Sequence, residues 1–219
     1  MPARPPNNRS QRTERRAAIS VRRRPAPART SDPSSAARIR SFEPIEDRDA
    51  EILILGSMPG RASLMAGQYY AHARNSFWRI IAELLRFDAT APYETRLRAL
   101  KSARIALWDV LHSCTREGSL DSRIERDSQT ANDFRTFFRT HRRISRVFFN
   151  GAKAEDCYKR YVLRDIDGSS VSYARLPSTS PANASMSFAE KLGAWRVILK
   201  PTVRGTVQPR RSTMGRHDA

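Results

Sequence analysis

Four short apolar runs constrain the fold of this chain: EILIL at residues 51–55, RIALWDV at 104–110, RVFF at 146–149 and VSYARL at 171–176. The first is continuously apolar, as in a strand buried on both faces of a parallel sheet. Helical patterns fall between and after them. Over residues 76–87, Phe77, Ile80, Ile81, Leu84 and Leu85 lie at the spacings of one helical face. Further helices are expected over 92–102, with Pro92 near the first turn, and over 131–141, 152–162 and 187–200. Strands alternating with helices predict α/β architecture: a three-layer α/β/α sandwich around a four-stranded parallel sheet.

All four strands run into polar loops: GSMPG, DVLHSC, NGAKA and LPSTSPANAS. In a parallel sheet such loops gather at one edge, the usual place for a ligand. In the longest of these stretches, residues 52–78, a strand breaks at a glycine-proline turn and crosses a loop rich in hydrogen-bonding and aromatic groups. GSMPG matches neither the dinucleotide fingerprint nor the P-loop. Gly56 and Gly60 let the backbone turn close to a ligand, with Ser57, Met58 and Pro59 between them, or simply end the strand.

Several side chains carry two readings each. Asn75 stands where a helix begins, as an N-cap or as an amide aimed into a pocket. Tyr69 and Tyr70 either stack on a base or pack their own loop. Phe77 and Trp78 are core residues or, for Phe77, a stacking partner. Asn150, in an Asn-Gly pair, is turn chemistry or a reader of a base edge. Asp109 is a catalytic carboxylate or a buried acceptor. Ser178, Thr179, Ser180 and Asn183 offer hydroxyl and amide groups to a phosphate, or only connect strand to helix. His72 has no second His or carboxylate at ligand spacing.

Charge points to the partner. The 219 residues carry a formal net charge of +18, which favours nucleic acid over a membrane surface. Residues 1–40 hold +9 of it and residues 200–219 hold +4. Basic, structureless tails are therefore expected at 1–42 and 201–219, flanking a domain at 43–200. The two cysteines, Cys114 and Cys157, are too few for a four-thiolate site and match no metal motif. No metal and no cofactor are expected. No apolar run approaches the roughly 18 residues of a membrane span. A monomer in a reducing cytoplasm, associated with a bacterial nucleoid, is the expected setting. The Arg-rich amino end leaves organelle targeting open.

Taken in order, GSMPG, QYYAH, RNSFW, LWDVL, GSLDS, FNGAKA and LPSTSPAN resemble one family across residues 50–200. It is the hypoxanthine-DNA (deoxyinosine) glycosylases of the uracil-DNA glycosylase superfamily. The resemblance implies a four-stranded parallel sheet between helices. It also implies hydrolysis of the N-glycosidic bond of deaminated bases in DNA by base flipping, without metal or cofactor. Hypoxanthine is the expected base, with uracil and xanthine as further candidates. On this resemblance Asn75 is catalytic; Asp109 is a candidate accessory from its place at the end of the second strand alone. Asn150 recognises the base, and residues 177–181 grip the strand. Two positions depart from the pattern: Ala73 stands where proline is expected, and Leu176 where many superfamily members carry histidine. The latter lacks a stabiliser of the departing base's negative charge. The competing classes are a non-catalytic nucleic-acid-binding α/β module and a nucleotide-binding α/β enzyme.

Overall fold

In the computed structural model, which describes residues 38–118, 120–166 and 170–200, a four-stranded parallel sheet forms the centre. Strand β2 (Ile52–Gly56) is buried at every residue. It pairs in parallel with β3 (Ile105–Asp109) on one side and β6 (Arg146–Asn150) on the other. Strand β7 (Ser172–Leu176) pairs with β6 and closes the order β3-β2-β6-β7. Burial follows position. β3 is also buried throughout, whereas the edge strand β7 buries only Leu176 fully.

Helices cover both faces, giving the α/β/α sandwich. Register sets Leu55, Trp108 and Phe149 abreast on one face. There Trp108 meets Phe134 and Phe137 of α4 (Phe134–Thr140) at 5.0 Å each. Phe149 meets Tyr158 of α5 (Ala152–Tyr161) at 5.2 Å. Elsewhere in the core, α2 (Phe77–Leu85) buries Phe77, Trp78, Ile80, Ile81 and Ala82. Phe77 meets Trp195 of α6 (Phe188–Trp195) edge to face at 5.8 Å. α3 (Tyr93–Ser102) buries Leu100 and leads into β3 through Arg104, whose φ is +57°. Two ends are chemically capped. Asp133 accepts from Thr136 N–H at the start of α4, and Ser187 with Glu190 forms a capping box at α6.

Three features depart from the sequence expectation. A six-residue helix, α1 (Arg61–Ala66), follows the GSMPG turn where a plain loop is expected. It is too short to show periodicity. The polar stretch after Val110 forms β4 (Leu111–Thr115), which pairs antiparallel with β1 (Arg38–Arg40) and β5 (Thr130–Ala131) in a second small sheet. LHSCT holds too few apolar residues to read as a strand. The third departure concerns the amino-terminal boundary. Residues 38–42, expected within the tail, belong to the fold: Phe42 C=O accepts from Trp108 Nε1 at 3.1 Å. Ile45 exchanges two backbone bonds with Leu107 and so covers the outer edge of β3. The rest of both expected tails lies outside the described residues.

Leu53, fully buried in the central strand, lies in the most enclosed part of the sheet. Leu53→Ala is expected to lower the unfolding free energy by about 2–5 kcal/mol, read by urea denaturation monitored through the tryptophans.

Candidate active site

The loops at the carboxyl ends of β2, β3, β6 and β7 surround a cavity of about 670 Å³, within the range of small-molecule sites. The turn after β2 contributes Gly56, Ser57, Met58 and Pro59, and the segment before α2 contributes Tyr69, Tyr70 and Asn75. Asp109, Asp121, Asn150 and residues 178–183 complete the wall. The parallel sheet thus brings together residues more than a hundred positions apart.

The floor depends on Gly56. A Cβ there would overlap Asp109 Oδ1 outright and press on the Tyr70 hydroxyl at 3.0 Å. Without one, the carboxyl and the phenol converge over bare backbone. Tyr70 adopts φ +55°, uncommon outside glycine. Its ring is stacked on Phe77 at 4.0 Å between centroids. Asp109 is 3% exposed, and burial pushes its carboxyl up to about 8, with Asp121 adding to the push and Arg116 opposing it. The Tyr70 hydroxyl is raised far above the ordinary tyrosine range by burial first and the nearby Asp109 second, while Asn150 pulls the other way.

Beside the floor lies a polar cluster. Ser57 Oγ donates to Asp121 Oδ2 at 2.5 Å. Arg116, 5% exposed, donates through Nη2 to Pro59 C=O at 2.6 Å and through Nε to Gly118 C=O at 3.1 Å. Its Nη1 stands 4.0 Å from Asp121. Burial raises Asp121, while the Ser57 bond and Arg116 lower it. Arg116 is therefore a brace between the turn after β2 and the loop before Asp121. Sequence reasoning assigned no role to Arg116 or Asp121. The only signal was Asp121's place in the SLDS segment.

The opposite wall turns on Thr179, which is fully buried. Its N–H donates to Asn150 Oδ1 at 2.9 Å, and its Oγ1 accepts from Asn150 Nδ2 at 2.9 Å. Its carbonyl accepts from both the N–H and the hydroxyl of Ser76. One residue thus ties together the end of β6, the loop after β7 and the start of α2. Asn75 stands next to that junction. Its Oδ1 accepts from Phe77 N–H at 3.0 Å, so the amide satisfies the first turn of α2. A backbone donor can face only the amide's oxygen, which leaves Nδ2 as the end available to the cavity.

The other expected site residues sort themselves. Ser178 C=O accepts from Asn183 Nδ2 at 3.1 Å, and Ser180 N–H donates to Ser178 Oγ at 3.2 Å, stiffening the wall loop. Exposed His72 and Arg74 line the same cavity, with Leu120, which is 52% exposed. Three expectations change. Phe77 is fully buried behind Tyr70 and is not on the cavity wall, so no base stacks on it. Tyr69 is 3% exposed, donates its hydroxyl to Glu43 C=O and packs on Phe42, so its ring supports the wall. Thr179, expected to contact DNA, is instead the internal tie. Among the described residues no group of three or more His, Cys, Asp or Glu could hold a metal ion.

A parallel sheet covered by helices on both faces, with a cavity at its strand ends, defines an α/β protein of the class that binds its ligand at that edge. Comparisons narrow the class. The uracil DNA glycosylase superfamily model matches residues 43–199. The chain is similar to a hypoxanthine DNA glycosylase of Methanosarcina acetivorans, 35% identical over 162 residues, 74% of this chain and 98% of that protein. It is also similar to one of Methanosarcina barkeri, 39% identical over 116 residues, 52% of this chain and 72% of that protein. A solution NMR structure from Methanosarcina acetivorans, provisionally assigned as a uracil DNA glycosylase, superposes with a TM-score of 0.62 at 34% identity, covering 75% of this chain and all of that one. The chain belongs to the uracil DNA glycosylase superfamily, and it is a DNA glycosylase.

Two measurements test this geometry. Thr179→Val removes the acceptor for Asn150 Nδ2 and is expected to cost about 1–3 kcal/mol in urea denaturation. The second concerns Asp109. The fold holds its proton up to about pH 8, against an ordinary value of 3.8. Folding therefore takes up a proton within that window, and stability falls as pH rises through it. Asp109→Asn abolishes this component, so its melting temperature should gain on wild type steadily from pH 4 to pH 8.

Proposed function

We propose that this protein is a monofunctional DNA-deoxyinosine glycosylase, which hydrolyses the N-glycosidic bond of hypoxanthine in DNA after the nucleotide is flipped into the cavity. The observation that carries the reading is the Asn75 amide on the cavity wall, held at its oxygen by Phe77 N–H and with no bond from its nitrogen to any of the described residues. The similarity to two proteins named hypoxanthine DNA glycosylases supports the choice of base. A base inside the duplex is out of reach of any such cavity, so extrusion at a few kcal/mol is required, and a mispaired deaminated base is the easiest to extrude.

Asn75 is neither a useful acid nor a useful base. Its role is to orient a water toward the sugar C1′ or to stabilise developing charge through Nδ2. Asn150 already bonds Thr179 through both amide ends, and each end retains one further hydrogen-bonding position. That spare capacity suits a base edge carrying both C=O and N–H. Met58, Pro59 and the Tyr70 ring supply the apolar part of the pocket. His72 and Arg74 at the exposed rim are suited to the phosphates flanking the flipped nucleotide.

Duplexes carrying deoxyinosine, deoxyuridine or deoxyxanthosine, incubated with the full chain and then treated with alkali, test the reading. Cleavage of the deoxyinosine strand is expected only after alkali and more strongly than for deoxyuridine. No cleavage of any duplex would refute it, and nicking without alkali would refute the monofunctional assignment. Asn75→Ala should lower the single-turnover rate by about 100-fold or more, and full activity in that variant would remove Asn75 from the mechanism.

A further inference from the structure

Among the described residues, no side chain donates a hydrogen bond to Asp109 Oδ2. Among the described residues this Oδ2 is enclosed without a partner, and the Tyr70 hydroxyl beside the carboxyl has only the Asn150 amide near it. Arg116, the cation whose charge acts on Asp109, directs two of its nitrogens to the carbonyls of Pro59 and Gly118. Asn132 Nδ2 bonds only the backbone carbonyl of residue 109. An ionised carboxylate stripped of water normally collects several donors, and without them its neutral form is favoured. The charged and titratable groups facing Asp109 are Asp121 and Arg116 from the segment after β4, and Tyr69 and Tyr70 from the loop before α2. Of these only Arg116 favours ionisation, and Asp121 opposes it. Asp109 and Gly56 both lie on the cavity. A carboxyl short of donors therefore stands on the wall of the cavity, where an entering group can meet it.

We propose that Asp109 sits at the cavity floor as a neutral carboxylic acid and gives its proton to the departing purine. This rests on the glycosylase reading above. As the C1′–N9 bond breaks, both its electrons pass to the base. The Asp109 proton moves to the purine atom on which that charge collects, leaving Asp109 as carboxylate. Water adds through oxygen to C1′, and its surplus proton passes through the emptied site to Asp109, restoring the acid. One water is consumed, the base leaves neutral and the sugar gains a hydroxyl. The other candidates fit less well. The Tyr70 hydroxyl, shifted far upward by its burial, holds its proton too tightly. Asn75 has no transferable proton, and His72 is exposed at the rim with Nδ1 accepting from Arg74 N–H.

Single-turnover release of hypoxanthine by the full chain, followed from pH 6 to 10, tests the step. Wild type should hold a plateau and then lose about tenfold per pH unit above about pH 8, where the floor carboxyl ionises. Asp109→Asn keeps the shape and a hydrogen-bond donor but cannot transfer a proton. It should be slower by about 10²- to 10⁴-fold at pH 7 and lack the basic limb. Its affinity for a duplex containing 2′-fluoro-deoxyinosine should stay close to that of wild type. A variant of near wild-type rate, or one keeping the same basic limb, overturns the proposal while leaving the glycosylase reading intact. A wild type that releases no base overturns both. Carbon-13 NMR of the aspartate carboxyls, with the Asp109 signal identified by its loss in Asp109→Asn, gives a readout independent of activity. Titration below pH 5 overturns the proposal, and titration near pH 8 supports it.

Discussion

The missing Cβ at Gly56 is the constraint on which the site depends. It ends the central strand and gives up the space into which Asp109 and Tyr70 both project. The consequences extend outward. Tyr70 reaches this position through a left-handed backbone and stacks on Phe77, which in turn packs against Trp195 of α6. The helix core and the cavity floor therefore share one aromatic stack. A side chain at position 56 would disturb both together.

The cavity's two sides are built by different means. On one, Arg116 and Asp121 brace the turn after β2 with charged groups. On the other, Thr179 joins three loops with neutral hydrogen bonds. The difference matters electrostatically. The floor carboxyl lies beside the braced wall, where the opposed influences of Asp121 and Arg116 partly cancel and burial dominates. The neutral wall holds Asn75 and Asn150, whose amides keep the same charge at any pH.

Much of this was legible in the chain. Apolar runs located all four core strands, and their polar ends pointed to one edge of the sheet. What sequence could not supply was direction and distance. Asp121 is the partner of Ser57 across 64 positions, and its place in the SLDS segment does not name that partner. Thr179 lies in a hydroxyl-rich loop that reads as solvent-facing, yet it is fully enclosed. Of the aromatic cluster at 69–78, a one-dimensional pattern cannot tell that Tyr70 lines the cavity while Phe77 lies behind it. β4 carries too little apolar character to show as a strand, and it took β1 and β5 to complete its ladder. The amides were ambiguous for another reason. Asn75 was read as helix cap or as site residue; the cap position of α2 falls on Ser76, while Asn75, one residue earlier, accepts from Phe77 N–H and stands on the cavity wall.

That coexistence has an energetic meaning. An amide left to rotate would have to be ordered when a substrate arrives, and its lost rotamer freedom would subtract from the binding free energy. Asn75 is already ordered by folding, because its oxygen accepts from Phe77 N–H at the start of α2. The helix thus acts as a preorganising device: the same hydrogen bond that begins α2 fixes the nitrogen's direction before any DNA is bound.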